Sequence, residues 1–210
     1  MTSIRAGWLL GVAAVAAAIA GFFLAAQLDR ASPRLASGTW LPQPKPVPQF
    51  ALADSAGRAF TQRELAGAPA LVFFGFTHCP DVCPTTLLKL AQIEKRAASP
   101  KPRVLFVSID PQRDTPAVLA AYVHAFDPSF EGLTGSPQAI ERVAADFGVA
   151  VNRVELPGGD YTMDHSAVVF LVDDAARIAA IFTPPLDVAA VAADLERAAP
   201  YLKGAARRVP

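Results

Sequence analysis

Two long apolar runs restrict the fold of this chain more than any other feature: Ala70-Leu71-Val72-Phe73-Phe74-Gly75-Phe76 and Arg103-Val104-Leu105-Phe106-Val107-Ser108-Ile109. Runs of strand length without polar alternation belong to strands buried on both faces. Between them, Pro84 to Ala98 carries Leu87, Leu88, Leu90 and Ile93 at helical spacing. Strand, helix and strand in that order make a βαβ unit, with parallel strands and a right-handed crossover. At its first corner lie both cysteines of the chain, Cys79 and Cys83.

The flanking segments extend this unit. Phe50 to Leu52 and Ala59-Phe60, joined by Asp-Ser-Ala-Gly, read as a small hairpin. Helices are expected over Pro116 to Ala125 and Ser136 to Phe147, followed by a return through Val149-Ala150-Val151. Ser166 to Val172 and Arg177 to Phe182 form a second hairpin around Asp173-Asp174. A last helix, Asp187 to about Ala199, presents Leu186, Val188, Val191 and Leu195. This order predicts an α/β fold, a thioredoxin-like mixed sheet with helices on both faces, over residues 49–203, with a C-terminal tail at 204–210.

The N-terminal part obeys a different rule. Between Arg5 and Asp29 no residue is charged, and a helix over 6–28 would reach about 34 Å, enough to cross a bilayer. A single transmembrane anchor is expected there, behind a short head at 1–5, with a cleaved signal peptide as the alternative. The candidate cleavage sites lack the small-x-small pattern. Arginines on both sides of the run, Arg5 before it and Arg30 and Arg34 after it, do not orient it. Residues 29–48, with Pro33, Pro42, Pro44, Pro46 and Pro48, read as an extended, semi-rigid spacer. Lysine plus arginine (19) equals aspartate plus glutamate (19), so no basic field exists to hold nucleic acid.

The chemistry is expected in Thr77-His78-Cys79-Pro80-Asp81-Val82-Cys83-Pro84, at the carboxyl end of a parallel strand, where open α/β sheets bind ligands. Pro84 suits a first helical position, which sets Cys83 near the N-cap, where the helix dipole lowers a thiol pKa. Asp81, between the sulfurs, opposes that. A static cystine closing so short a loop would stabilise by only about 2 kcal/mol. The three-residue spacing departs from the two-residue spacing of dithiol oxidoreductases. A redox-active pair and a metal site both remain open. Of the three histidines, His124 sits within a helix, and His78 points away from Cys79 if strand geometry persists. His165 lies in the loop Asp160 to Ser166, which a thioredoxin-like sheet brings beside the cysteines; a solvated loop histidine is the plain alternative. Asp110 and Asp114 either face the site or cap the helix that starts near Thr115-Pro116.

Taken together, Gly75-Phe76-Thr77-His78-Cys79-Pro80-Asp81-Val82-Cys83-Pro84-Thr85, Val107-Ser108-Ile109-Asp110-Pro111-Gln112-Arg113-Asp114-Thr115-Pro116 and Asp164-His165-Ser166 closely resemble the Sco/SenC family of copper chaperones. The resemblance runs from about Pro48 to Tyr201. It implies one copper ion per chain, Cu(I) or Cu(II), held by Cys79, Cys83 and His165. It also implies delivery to, or thiol maintenance of, the dinuclear copper site of cytochrome c oxidase subunit II. The implied partners are that subunit or another copper-receiving protein, other copper chaperones and thiol reductants. The implied setting is a bacterial inner membrane, crossed once, with the domain in the periplasm. The chemistry agrees: two thiolates and an imidazole form a soft set suited to Cu(I), although zinc accepts the same ligands. The alternative function is a periplasmic thiol–disulfide oxidoreductase that uses Cys79 and Cys83 alone.

Overall fold

The strand Ala70–Gly75 (β4) is buried at all six positions, so cover is required on both of its faces. In the computed structural model, which describes residues 14–22, 32–98 and 101–203, β4 lies fourth in an eight-stranded sheet of order β1-β10-β9-β4-β5-β6-β2-β3. Its neighbours are β5 (Arg103–Ser108), parallel, and β9 (Val169–Val172), antiparallel. Beyond β9 come β10 (Arg177–Phe182) and β1 (Gly38–Pro46). On the other side β5 pairs with β6 (Glu131–Thr134), which leads to the hairpin β2 (Ala51–Asp54) and β3 (Ala59–Thr61). The sheet is mixed, as expected, and the βαβ unit occupies its centre.

Residues 14–22 are helical (α1) and belong to a separate unit, 1–33. The expected anchor over 6–28 lies largely outside the described residues, as do the head 1–5 and the tail 204–210. Among the described residues no helix is long and apolar enough to cross a membrane.

All but one of the domain's α-helices start where the sequence supplies a side-chain cap. Thr61 and Glu64 form a reciprocal capping box on the one-turn helix Gln62–Leu65 (α2). The long helix Val82–Arg96 (α3) fills the β4–β5 crossover. Thr115 and Ser136 cap Pro116–His124 (α4) and Pro137–Phe147 (α5), each with proline in the first turn. Gly148, at φ 76°, closes α5 in the left-handed conformation that glycine adopts without strain. Asp187 caps Val188–Ala198 (α6).

Two expectations are corrected and one strand went unread. The segment 29–48 is not a free spacer, because Gly38–Pro46 is a strand on β10. The chain ahead of it is gripped by the buried Asp194 carboxylate, which accepts from the N–H of Ala36 (2.7 Å), Ser37 (2.7 Å) and Gly38 (3.1 Å) and from Ser37 Oγ (2.9 Å). Strand β6, only four residues long with Gly132 in it, carried no periodic signal. The return after α5 continues into a separate two-stranded sheet, β7 (Val151–Glu155) with β8 (Tyr161–His165), where a loop was expected.

Candidate metal centre

Strand β4 ends at Gly75, and the chain turns through a Cys79 N–H to Phe76 carbonyl bond of 3.3 Å before α3 begins. The helix starts earlier than the sequence suggested. Asp81 is the N-cap, Cys83 is the second helical residue and Pro84 the third. Asp81 makes no side-chain capping bond. Instead the Cys83 N–H donates to Cys79 Sγ at 3.3 Å, so a sulfur takes up one of the unpaired donors of the helix start. Both cysteines are free, Cys79 half-buried and Cys83 0% exposed. Space for the Cys83 sulfur exists because residue 75 is glycine: a Cβ there would stand 2.8 Å from Cys83 Sγ and 2.7 Å from Phe106 Cε2.

This burial reverses the expected electrostatics. Loss of solvent pushes the Cys83 thiol far up; a backbone hydrogen bond with Phe76 opposes the shift, and Cys79 and Asp114 add to it. Desolvation outweighs the helix terminus, and Cys83 rests as a neutral thiol whose proton a metal ion must displace.

The third expected residue arrives from the other sheet. His165 ends β8, opposite Val151, and its Nε2 lies 3.6 Å from Cys83 Sγ. Its Nδ1 is 3.2 Å from the Ser166 carbonyl. A carbonyl only accepts, so the proton is assigned to Nδ1 and the Nε2 lone pair faces the sulfur. Burial lowers the imidazole pKa, against smaller opposing effects of the Ser166 carbonyl and Asp164. Phe73 and Phe76 hold the ring edge-on, each with centroids 6.1 Å away. His78 is exposed beside Thr77 Oγ1 (3.1 Å), and His124 is exposed at the end of α4.

Asp110 and Asp114 are not caps; Thr115 caps α4. Asp114, 0% exposed, accepts from Thr77 N–H (3.1 Å), Thr77 Oγ1 (2.6 Å) and Ser108 Oγ (2.6 Å). Asp110 accepts from Tyr161 Oη at 2.8 Å and from Arg113 Nε. Arg113 Nη1 also donates to the Tyr161 carbonyl (3.0 Å), and the guanidiniums of Arg113 and Arg153 lie over the Tyr161 ring, 3.8 and 3.6 Å from its centroid. None of Thr77, Ser108 or Tyr161 was anticipated. The one available signal was the alternation Tyr161, Met163, His165, which places all three on one face of a strand.

Among the described residues no three His, Cys, Asp or Glu side chains are already closed into a metal shell; the Cys83 sulfur meets His165, and Cys79 Sγ meets the Cys83 backbone N–H. Two sulfurs and a neutral imidazole with a free Nε2 remain a donor set for a soft ion.

The family model described as SCO1/SenC matches residues 41–200. The chain belongs to the SCO1/SenC family. It is 44% identical over 128 residues to a SCO2-like protein of Rickettsia felis, covering 59% of this chain and 62% of that protein. It is 41% identical over 129 residues to the mitochondrial SCO2 homolog of Danio rerio, covering 59% of this chain and 46% of that protein. The chain thus matches less than two thirds of the length of these relatives. Among solved structures it resembles copper-bound ScoI of Bradyrhizobium japonicum, with TM-score 0.67 and 41% identity over 72% of this chain and 98% of that one. It also resembles copper-bound ScoI of Arabidopsis thaliana, with TM-score 0.70 and 33% identity over 73% and 98%. The mixed α/β architecture is the thioredoxin-like fold of these Sco proteins.

Proposed function

We propose that this Sco protein is a copper chaperone that carries one copper ion on Cys79, Cys83 and His165. The ion passes to the dinuclear copper site of cytochrome c oxidase subunit II or to another copper-receiving protein. The observation that carries this reading is the placement of His165 Nε2 3.6 Å from Cys83 Sγ, with Nδ1, to which the ring proton is assigned, on the Ser166 carbonyl. A dithiol oxidoreductase has no need of that imidazole. Similarity to two Sco proteins solved with copper bound supports the choice of metal. The soft thiolates favour Cu(I), and the imidazole adds the nitrogen that Cu(II) prefers. Binding displaces the Cys83 proton, and a Cys79–Cys83 disulfide would block loading, so cargo and redox state exclude one another.

The test is His165→Ala. Copper stoichiometry of the purified reduced protein should fall from one Cu(II) per chain to none, while Cu(I) is still bound, less tightly, between the two sulfurs. Reduction of a model disulfide should survive. Wild-type copper binding in both oxidation states by the variant would hand the site to the oxidoreductase reading. The reading also sets the domain in the periplasm behind an uncleaved anchor at 6–28. N-terminal sequencing of the membrane-bound protein should begin at or next to Met1; a start near Ser32 would overturn the anchor.

A further inference from the structure

The two halves of the site come from different sheets, yet one loop touches both. The loop Ile109 to Thr115 leaves β5 between them. Its Asp114 holds Thr77 in the cysteine loop by two bonds, and its Asp110 holds the Tyr161 hydroxyl on the strand that ends in His165. The two carboxylates are tied to one another. Asp110 carbonyl accepts from Asp114 N–H at 2.9 Å, and Ser108 Oγ accepts from Asp110 N–H at 3.1 Å while donating to Asp114 at 2.6 Å.

We infer that Asp110 and Asp114 form a carboxylate bridge that sets the spacing between the sulfurs and the imidazole, with Tyr161 and Thr77 as its two footholds. Strand β8 belongs to a two-stranded sheet that shares no ladder with the main sheet. Such a ribbon has little stability of its own and takes its position from what it docks on. Tyr161 and His165 are four residues apart on the same face, so the foothold at one end fixes which face, and which roll of the strand, presents the imidazole. At the other end the Asp114–Thr77 bonds fix the start of the loop that carries Cys79. These are positioning residues: none of the four hydrogen-bonds to a cysteine sulfur or to the His165 ring.

The inference rests on the copper reading for one of its two measurements only. Tyr161→Phe and Thr77→Val each keep the shape of the side chain and remove the hydroxyl, and they are compared with their double mutant in the full chain. Asp110→Asn serves in place of Tyr161→Phe should that variant unfold below the wild-type midpoint. The first readout is the alkylation rate of Cys83 in the reduced, metal-free protein, followed by peptide mass mapping. Each single variant should speed it, and the double mutant should differ from the product of the single effects by at least about threefold, as groups in one network do. The second is the sulfur-to-Cu(II) charge-transfer band of the Cu(II)-loaded protein, which Tyr161→Phe should shift. Rates that multiply independently, or an unmoved band in a protein that does load copper, overturn the bridge. Coupled alkylation among the variants, with a wild type that binds no copper, upholds the bridge and overturns the copper reading instead.

Discussion

The cysteine side and the histidine side of the site are only 3.6 Å apart at Cys83 Sγ, yet they rest on different balances of force: both have polar ties and aromatic contacts, but apolar burial dominates the first and polar docking the second. The cysteine side grows out of β4, whose residues are buried throughout and packed by Phe106, Phe147 and Phe170. The histidine side rides on a ribbon whose first strand is mostly exposed, docked through a hydroxyl, two carboxylates and two guanidiniums. Apolar burial is insensitive to register by a residue's polar chemistry but demands volume, whereas polar docking demands particular atoms. A sulfur set deep beside the core strand and an imidazole brought in on a docked ribbon follow from that division.

The division can be broken at its apolar side first. Phe73 is fully buried and touches both Phe106 and His165. Phe73→Ala should cost about 3–5 kcal/mol in chemical denaturation, the ordinary loss for a buried aromatic, and should loosen the imidazole with the core. A cost near that of an exposed residue would show that the core side is not what anchors the site.

Acid sharpens the comparison at the polar contacts. Burial alone would raise the Asp194 carboxyl, but donors from Ala36, Ser37 and Gly38 outweigh it and hold the group below its ordinary range. A depressed carboxylate contributes stability that is complete above its unfolded pKa of about 3.9 and is lost as pH falls through the folded value. Hydrogen exchange below pH 4 should therefore release β1 before β4. Asp194→Asn should cost roughly 1.5–3 kcal/mol at pH 7, the worth of hydrogen bonds to a charged group. Equal protection of β1 and β4 in acid would remove Asp194 as the clamp.

The smallest effect belongs to the outer surface of the ribbon. Arg153 and Glu155 pair at 2.7 Å with both side chains exposed. Glu155→Gln should change the unfolding free energy by no more than about 0.5 kcal/mol. A larger loss would mean that the ribbon depends on surface charge as well as on its docked face.

The same contrast explains what could be read from the residues alone. Long apolar runs and a proline-bearing helix start announced β4, α3 and β5, and with them the place of both cysteines. The helix start was displaced because proline is tolerated anywhere in the first turn, and it occupies the third position here. The thiol environment was misjudged because depth of burial depends on Gly75 and on His165 closing from another sheet, neither of which a local pattern carries. Strand β8 hid among Gly158, Gly159, Asp160 and Asp164, where polar residues on its outer face imitate a loop. Asp110 and Asp114 looked like caps because the partners that claim them, Thr77 and Tyr161, are distant in sequence.

The prolines of β1 have a consequence beyond pairing. A strand at the rim of a sheet offers an open row of donors and acceptors to any passing chain, a hazard for any protein built on an open sheet. Along β1 the register with β10 shifts between Trp40 and Lys45; Pro42 and Pro44 fall in that irregular stretch, and Pro46 lies opposite Arg177 just beyond it. Proline is compatible with a rim strand only where its missing N–H falls on the unpaired side. The rim strand β1 thus combines a break in register with three residues that carry no N–H, and a second copy of the molecule finds no regular ladder there to extend.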